Sequence, residues 1–518
     1  MTARQDPRHG APAPVVRTGH GRVRGRHESG VAVFRGIPYA RPPFGALRFR
    51  GPVPPEPWDG VRDALRFGPP PPQHDRLNPA AARAARPSPA PDCLTVNVWT
   101  PDPGAARLPV LVWFHGGAYT FGSAADPVYD GAVQARESAA VVVTFNYRVG
   151  VEGFARIDGA PDNRALLDQV AALRWVRENA AAFGGDPDRV TVFGESAGAG
   201  SLAALLDVAP ARGLFGRAIA QSVPGAFLSP ELASDVAADI CAAVGRTPTL
   251  DDLAEVDPHL LVQAAEDVFA TMADRAGRWG VLAHSETLFA PVVGSGHLTR
   301  TPWDAVAAGA AREVPLLIGC NRNEYRMFMA KRREFGAVTA DRAEWALRVF
   351  GPGAQEGPAA YRARFPDAGP EELYERVTSD WLCRIPSLRL AEAQAAAGGP
   401  VHAYQLDWPA PGPGRPLGAC HGIDVPLLFG TAHTPLARHL LGDAPSGEVS
   451  ALSRRMRAAW AAFAATGDPG WPCHLLPERR TRIFDTTDRT GCDPLAGSRR
   501  AWSDHPYEVL GLTARRRA

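Results

Sequence analysis

The chain has 518 residues, with 56 Lys and Arg against 55 Asp and Glu and a formal net charge of +1. That near-balance, with both signs interspersed, gives no electrostatic footing for nucleic acid or an anionic membrane surface, and seven scattered cysteines without a Cys-x-x-Cys pair exclude a zinc-finger or disulfide-scaffold reading. No apolar run has the length of an export signal or a membrane span, so a soluble, cytoplasmic protein with reduced thiols is expected.

Taken in chain order, residues 1–14 read as a disordered leader, 15–512 as a single domain and 513–518 as a basic tail. Val15-Val16-Arg17, Gly21–Gly25 and Val31–Phe34 predict short antiparallel strands joined by glycine turns, followed by an extended Arg35–Ala40. Residues 69–91 are almost all Pro, Ala and Arg, cannot bury enough apolar surface to be core, and read as a surface excursion. Leu94–Trp99, Pro109–Phe114 and Ala140–Phe145 are nearly continuous apolar runs, which suits a sheet buried on both faces. Between Asn163 and Phe183, Leu166, Val170, Leu173 and Val176 fall on one helical stripe, and Gly184-Gly185-Asp186-Pro187 turns the chain into the next strand. This strand–helix–strand alternation predicts a parallel or mixed sheet covered by helices. Residues 229–290 and 340–398 read as helical insertions, Val314–Gly319 and Val401–Trp408 as buried strands, and Val449–Thr466 as a helix with Trp460 and Phe463 on its apolar face.

Val190–Phe193 runs as a strand into Gly194-Glu195-Ser196-Ala197-Gly198, with the small residues of a helix start behind it. A strand that turns sharply into a helix at a serine needs glycine on both sides, which is the pattern of a nucleophile elbow. Chance alone supplies roughly 0.2 such pentapeptides in a chain of this composition, so the weight lies in the context.

A serine hydroxyl needs a base, and the base a third group to hold its tautomer. In an open α/β sheet these stand on loops at the carboxyl ends of strands. Glu324 follows the strand that ends at Gly319. Six histidines come after it; His421, among small residues in Leu417–Gly422, stands out because a loop histidine with small neighbours can reach into a site, whereas His402 lies within a strand and His433 and His439 in polar surroundings. His115-Gly116-Gly117-Ala118, at the end of the Pro109–Phe114 strand, can aim backbone N–H groups at an oxyanion, with the N–H of Ala197 completing the set.

The segments Phe34–Ala40, Asp92–Trp99, Phe114–Gly117, Asn146–Gly150, Phe183–Gly198, Gly418–Asp424 and Thr466–Pro469 together resemble the type-B carboxylesterase family, the cholinesterase-like branch of the α/β-hydrolases. The resemblance covers about residues 15–510. It implies an α/β-hydrolase fold, with a large central, mixed but mostly parallel sheet flanked by helices, and helical insertions capping the site. It also implies Ser196 as nucleophile, Glu324 as acid, His421 as base, and Gly116, Gly117 and Ala197 as oxyanion donors, with Ser222 supporting the triad from behind. The expected activity is hydrolysis of a small-molecule carboxylic ester through an acyl-enzyme, with no cofactor, no metal, and no nucleic-acid or membrane partner. Two rival readings are an acyltransferase or an amide, carbamate or thioester hydrolase using the same triad, and a catalytically silent cholinesterase-like binding module.

Departures from the family pattern set further expectations. Pro91 stands where a Glu is usual, so a familiar buried ion pair is missing. No cysteine precedes Cys93 to staple the 69–91 stretch, which is then a loose lid, and that stretch lacks the tryptophan that holds choline. Tyr325 and Val223-Pro224 replace glycines beside Glu324 and Ser222, which puts the loop shapes there in question.

Overall fold

The computed structural model describes residues 12–74, 91–412, 417–442 and 447–513. The leader up to residue 11, residues 75–90 of the Pro/Ala-rich excursion and the tail from 514 lie outside the described residues. The chain forms two compact units, one of residues 1–217, 227–300 and 510–518, the other of residues 218–226 and 301–509.

The first unit contains β1 (Val15–Thr18), β2 (Gly21–Arg24), β3 (Arg26–Glu28), β4 (Val31–Pro38), β5 (Val61–Asp63), β6 (Thr95–Thr100), β7 (Leu108–Phe114), β8 (Val141–Phe145) and β9 (Gly185–Glu195). β1, β2 and β5 make a small sheet, while the main ladder runs β9-β7-β8-β6-β4-β3. Strands β8, β7 and β9 are mutually parallel where they pair, and the edge from β6 to β3 is antiparallel. Every residue of β6 and β8 and the last five of β7 are buried, as continuous apolar runs require when helices cover both faces. The helices Arg164–Asn179 and Ala197–Leu205 pack on β9. Gly184, in the left-handed region at φ 84°, closes the turn into β9. The extended segment expected after Phe34 continues β4 in one strand to Pro38, bent at a bulge.

The second unit contains β10 (Arg217–Gln221, its first residue belonging to the other unit), β11 (Leu316–Asn321), β12 (Val401–Leu406), β13 (Arg480–Phe484) and β14 (Arg489–Cys492). β10 to β13 are parallel in that order, and β14 is an antiparallel edge. Helix Ile385–Ala396 packs on β11 and β12. Gln221 pairs with Gly319, so the residues that follow β10 and β11 emerge side by side at the carboxyl end of the ladder. The stretches read as helical insertions hold helices Pro230–Ala242 and Pro258–Ala270 in the first unit, and Ala340–Phe350, Glu356–Arg364, Pro370–Ser379 and Ile385–Ala396 in the second. Between the last two the backbone makes a π-helical turn, Asp380–Arg384. No helix of the described residues is long and apolar enough to cross a membrane.

Two ion pairs in the first unit bear on the expectations. Arg35, buried on β4, pairs in bidentate fashion with Glu28, at 3.0 and 2.6 Å. The buried arginine therefore keeps a partner, drawn from the neighbouring strand β3. Arg148 and Asp168, both fully buried, form the second pair. The described start of the 69–91 stretch is held as well: Gln73 exchanges two hydrogen bonds with the backbone of Gly122, and Asn146 Nδ2 donates to the Pro69 carbonyl.

Candidate active site

Ser196 ends β9 and opens helix Ala197–Leu205 at φ 55° and ψ −125°, a conformation that only a packed surrounding holds for a residue with a side chain. The glycines of the pentapeptide explain how. A Cβ on Gly198 would stand 2.1 Å from the Phe114 carbonyl oxygen, and one on Gly194 2.9 Å from it. Only bare backbone lets the end of β7 press against the turn on both sides. Ser196 itself is half-buried. This is the strand–serine–helix elbow that the sequence predicts.

The His115–Tyr119 loop follows β7. Gly117 has φ 121°, and Ala118 and Tyr119 are both left-handed at 53° and 59°. Its carbonyls are held from outside: Tyr147 Oη donates to His115 O, Thr287 Oγ1 to Ala118 O, and the Gly150 N–H to Tyr119 O. Among the described residues no hydrogen bond uses the N–H of Gly116, Gly117 or Ala197 as donor. Gly116 lies against the elbow, since a Cβ there would meet Glu195 Oε2 at 2.8 Å and Ser196 Cβ at 3.3 Å. Donors left open in a fixed backbone are what an oxyanion requires.

His115 stacks on Tyr147 with ring centroids 4.2 Å apart. Burial lowers its pKa from the ordinary 6.5 to about 4, only partly offset by its bond to Gly116 O. A depressed imidazole pKa adds stability that is complete above pH 6.5 and is lost as pH falls through 4; over that window the loss is about 3 kcal/mol. Urea midpoints measured from pH 7.5 to pH 4 should therefore fall less steeply in His115→Gln than in the native chain.

The second unit carries the remaining candidates. Glu324 is fully buried. Its Oε1 accepts from Ser222 Oγ at 2.6 Å and from the Asn321 N–H at 2.7 Å, and its Oε2 lies 2.7 Å from His421 Nδ1. With Oε1 taken by two donors, the carboxylate meets Nδ1 as an acceptor; the proton sits on Nδ1 and Nε2 is left as the basic nitrogen. Backbone bonds clamp the two loops together: the Asn323 N–H donates to Ala419 O, the His421 N–H to Glu324 O, and Asn321 Nδ2 to Cys420 O. Ser222, left-handed at φ 54°, is fixed by its own N–H on Gly319 O. Removing its hydroxyl takes one charge-stabilising hydrogen bond from the acid, so Ser222→Ala should lower kcat by roughly 10- to 100-fold with KM nearly unchanged. A fall in KM alone would contradict this positioning role.

The departures at 223 and 325 are accommodated. Tyr325 has ordinary helical dihedrals, its N–H donates to Ser379 Oγ, and its ring is buried against Phe328 and Tyr374. The Val223 N–H donates to Ser387 Oγ. Three residues of this centre escape the sequence reading. Asn321 meets Glu324 through its backbone N–H, which leaves no trace in side-chain patterns. Asp424 receives Gln221 Nε2 at 2.6 Å and Asn321 Nδ2 at 3.3 Å, and burial raises its carboxyl pKa; its signal was its place at the end of the Gly418–Asp424 motif. Cys383 stands beside Glu324 and His421 with no sequence cue at all.

The family model of the carboxylesterases matches residues 12–482. The chain is also 36% identical over 494 residues to the para-nitrobenzyl esterase of Bacillus subtilis strain 168, covering 93% of this chain and 96% of that protein. The chain belongs to the carboxylesterase family. A phenmedipham hydrolase of Pseudarthrobacter oxydans is 34% identical, over 88% of this carboxylesterase and 90% of the relative. Among solved structures, a carboxylesterase of Geobacillus stearothermophilus is similar with a TM-score of 0.81 and 36% identity, over 94% of this chain and 99% of that one. This carboxylesterase accordingly has the α/β-hydrolase fold, built on a large mixed, mostly parallel sheet with flanking helices, and it is a serine hydrolase of carboxylic esters.

Proposed function

We propose that Ser196, His421 and Glu324 are the nucleophile, base and acid of this esterase, with Gly116, Gly117 and Ala197 as its oxyanion donors. The observation that carries the reading is the Glu324–His421 hydrogen bond at Nδ1, which leaves Nε2 unprotonated and able to take a serine proton. In this reading His421 Nε2 removes the Ser196 proton as Oγ attacks the ester carbonyl. The tetrahedral oxyanion rests on the three N–H groups, the alcohol departs with the proton from His421, and water, activated by the same imidazole, releases the acid. Ser222 and the Asn321 N–H hold the Glu324 carboxyl group aligned on His421 as the imidazolium forms in each step.

The substrates are small-molecule esters, and the relatives named for para-nitrobenzyl and phenmedipham substrates support an aromatic group on one side of the scissile bond. The protein works in the cytoplasm without a membrane or nucleic-acid partner. A chain-length and leaving-group series of p-nitrophenyl esters, run beside matched amides and thioesters, tests the substrate class. Esters should give the highest kcat/KM, and a preference for amides or thioesters would overturn it.

A further inference from the structure

Cys383 has no part in the proposed ester hydrolysis, yet it lies in the middle of its machinery. Glu324, Cys383 and His421 each offer one ligand atom, all within 4.8 Å of one another, and all three residues are buried. The thiol arrives on the π-helical turn Asp380–Arg384, whose extra residue shifts the side chains out of ordinary helical register. A carboxylate, an imidazole and a thiol make a mixed donor set for a borderline-soft cation such as Zn²⁺ or Cd²⁺, not for Mg²⁺ or Ca²⁺, which take oxygen ligands. In a tetrahedral zinc site, donor atoms stand roughly 3.3–3.7 Å apart, so this cluster needs only side-chain adjustment to close on an ion.

We infer that Glu324, Cys383 and His421 form an inhibitory site for a soft divalent cation, which switches hydrolysis off by reversing the tautomer of the base. The catalytic part of this inference rests on the proposed role of His421. Glu324 Oε1 is already engaged by Ser222 and Asn321, so Oε2 is the oxygen available to a metal. That oxygen now holds the proton on Nδ1. A cation entering there binds Oε2, Nδ1 and Sγ; the thiol proton leaves to solvent, and the imidazole gives up its Nδ1 proton and takes one from solvent at Nε2, so the ring stays neutral. An imidazole metallated at Nδ1 carries its remaining proton on Nε2, the nitrogen that must accept from Ser196. The metal therefore turns the base into a donor, and a chelator restores it.

The test is a Co²⁺ and Zn²⁺ titration of the full-length protein and its Cys383→Ser and Cys383→Ala variants. It reads the thiolate-to-cobalt absorption band and p-nitrophenyl ester hydrolysis together. The native chain should develop the band, lose activity with it, and recover both on adding chelator. Both variants should hydrolyse the ester near the native rate without metal, showing that they fold, and should need about tenfold or more Zn²⁺ for the same inhibition, with the cobalt difference band gone. A band and inhibition equal to native in both variants would place the metal elsewhere, for instance at Cys473 and His402, whose Sγ and Nε2 are 3.6 Å apart, and would overturn the site. No band in active native protein would overturn it equally. A band that depends on Cys383 but leaves hydrolysis untouched would uphold the site and refute His421 as the base.

Discussion

Ser196→Ala is expected to lower kcat for p-nitrophenyl esters by roughly 10⁵- to 10⁶-fold, leaving only the residual rate that binding and the oxyanion donors provide. The size follows from what the hydroxyl does. In the proposed mechanism it is the group that forms the acyl-enzyme. The alanine variant keeps the backbone problem unchanged, because the φ 55°, ψ −125° conformation costs an alanine what it costs a serine. Its thermal unfolding should therefore match the native chain, which separates lost chemistry from lost fold. His421→Ala should reach a similar floor, and the double variant should fall no further, as the proposed pairing of nucleophile and base into one device requires. Additive losses in the double variant would show that the two residues do not serve the same step.

Asp168→Asn is expected to destabilise the first unit by about 3–5 kcal/mol, read as a shift in the denaturant midpoint. Arg148 directs its backbone N–H, Nε and Nη2 at the two Asp168 oxygens, at 3.1, 2.8 and 2.7 Å, and its Nη1 at the Arg50 carbonyl. Neither side chain is exposed to solvent. The amide keeps the shape but removes the counter-charge, stranding a guanidinium that cannot be neutralised by losing a proton. The consequence reaches the site, because Arg148 anchors the Asn146–Gly150 segment. From that segment Tyr147 Oη holds His115 O, and the Gly150 N–H holds Tyr119 O. Activity should therefore decline well below the temperature of global unfolding. Arg148→Met combined with Asp168→Leu should recover much of the stability, as apolar replacement of a buried pair commonly does. A double variant no better than Asp168→Asn would mean that packing around the pair, and not its charge, sets the loss.

Much of this architecture was legible because its strands are apolar on both faces. Leu94–Trp99, Pro109–Phe114, Ala140–Phe145 and Val314–Gly319 each announce a covered strand, and each lies within two residues of the observed β6, β7, β8 and β11. β13 and β14 gave no such sign. Arg480-Thr481-Arg482 and Arg489-Thr490-Gly491 belong to the ladder's margin, where charged side chains reach solvent and the apolar run breaks up. The residues proposed to carry the chemistry stand out by residue type at a strand end: Ser196 after β9, His115-Gly116-Gly117 after β7, Glu324 after β11. The contacts among them do not, because they join residues distant in sequence, and Ser222 came only from the family resemblance. Ser222 and Glu324 are 102 positions apart, and Glu324 and His421 97. The Arg35–Glu28 pair was not legible, since it depends on the β3–β4 pairing. Cys383 was hidden for a different reason: a π-helical turn breaks the 3.6-residue period on which helical faces are read.

Labelling of the folded native protein with a fluorophosphonate, followed by peptide mapping, tests the proposed nucleophile. One phosphonyl group per chain is expected, on Ser196, with loss of ester hydrolysis in step with labelling and no labelling in Ser196→Ala. Active protein that resists the reagent, or whose activity is lost through a label on another serine, would contradict that assignment.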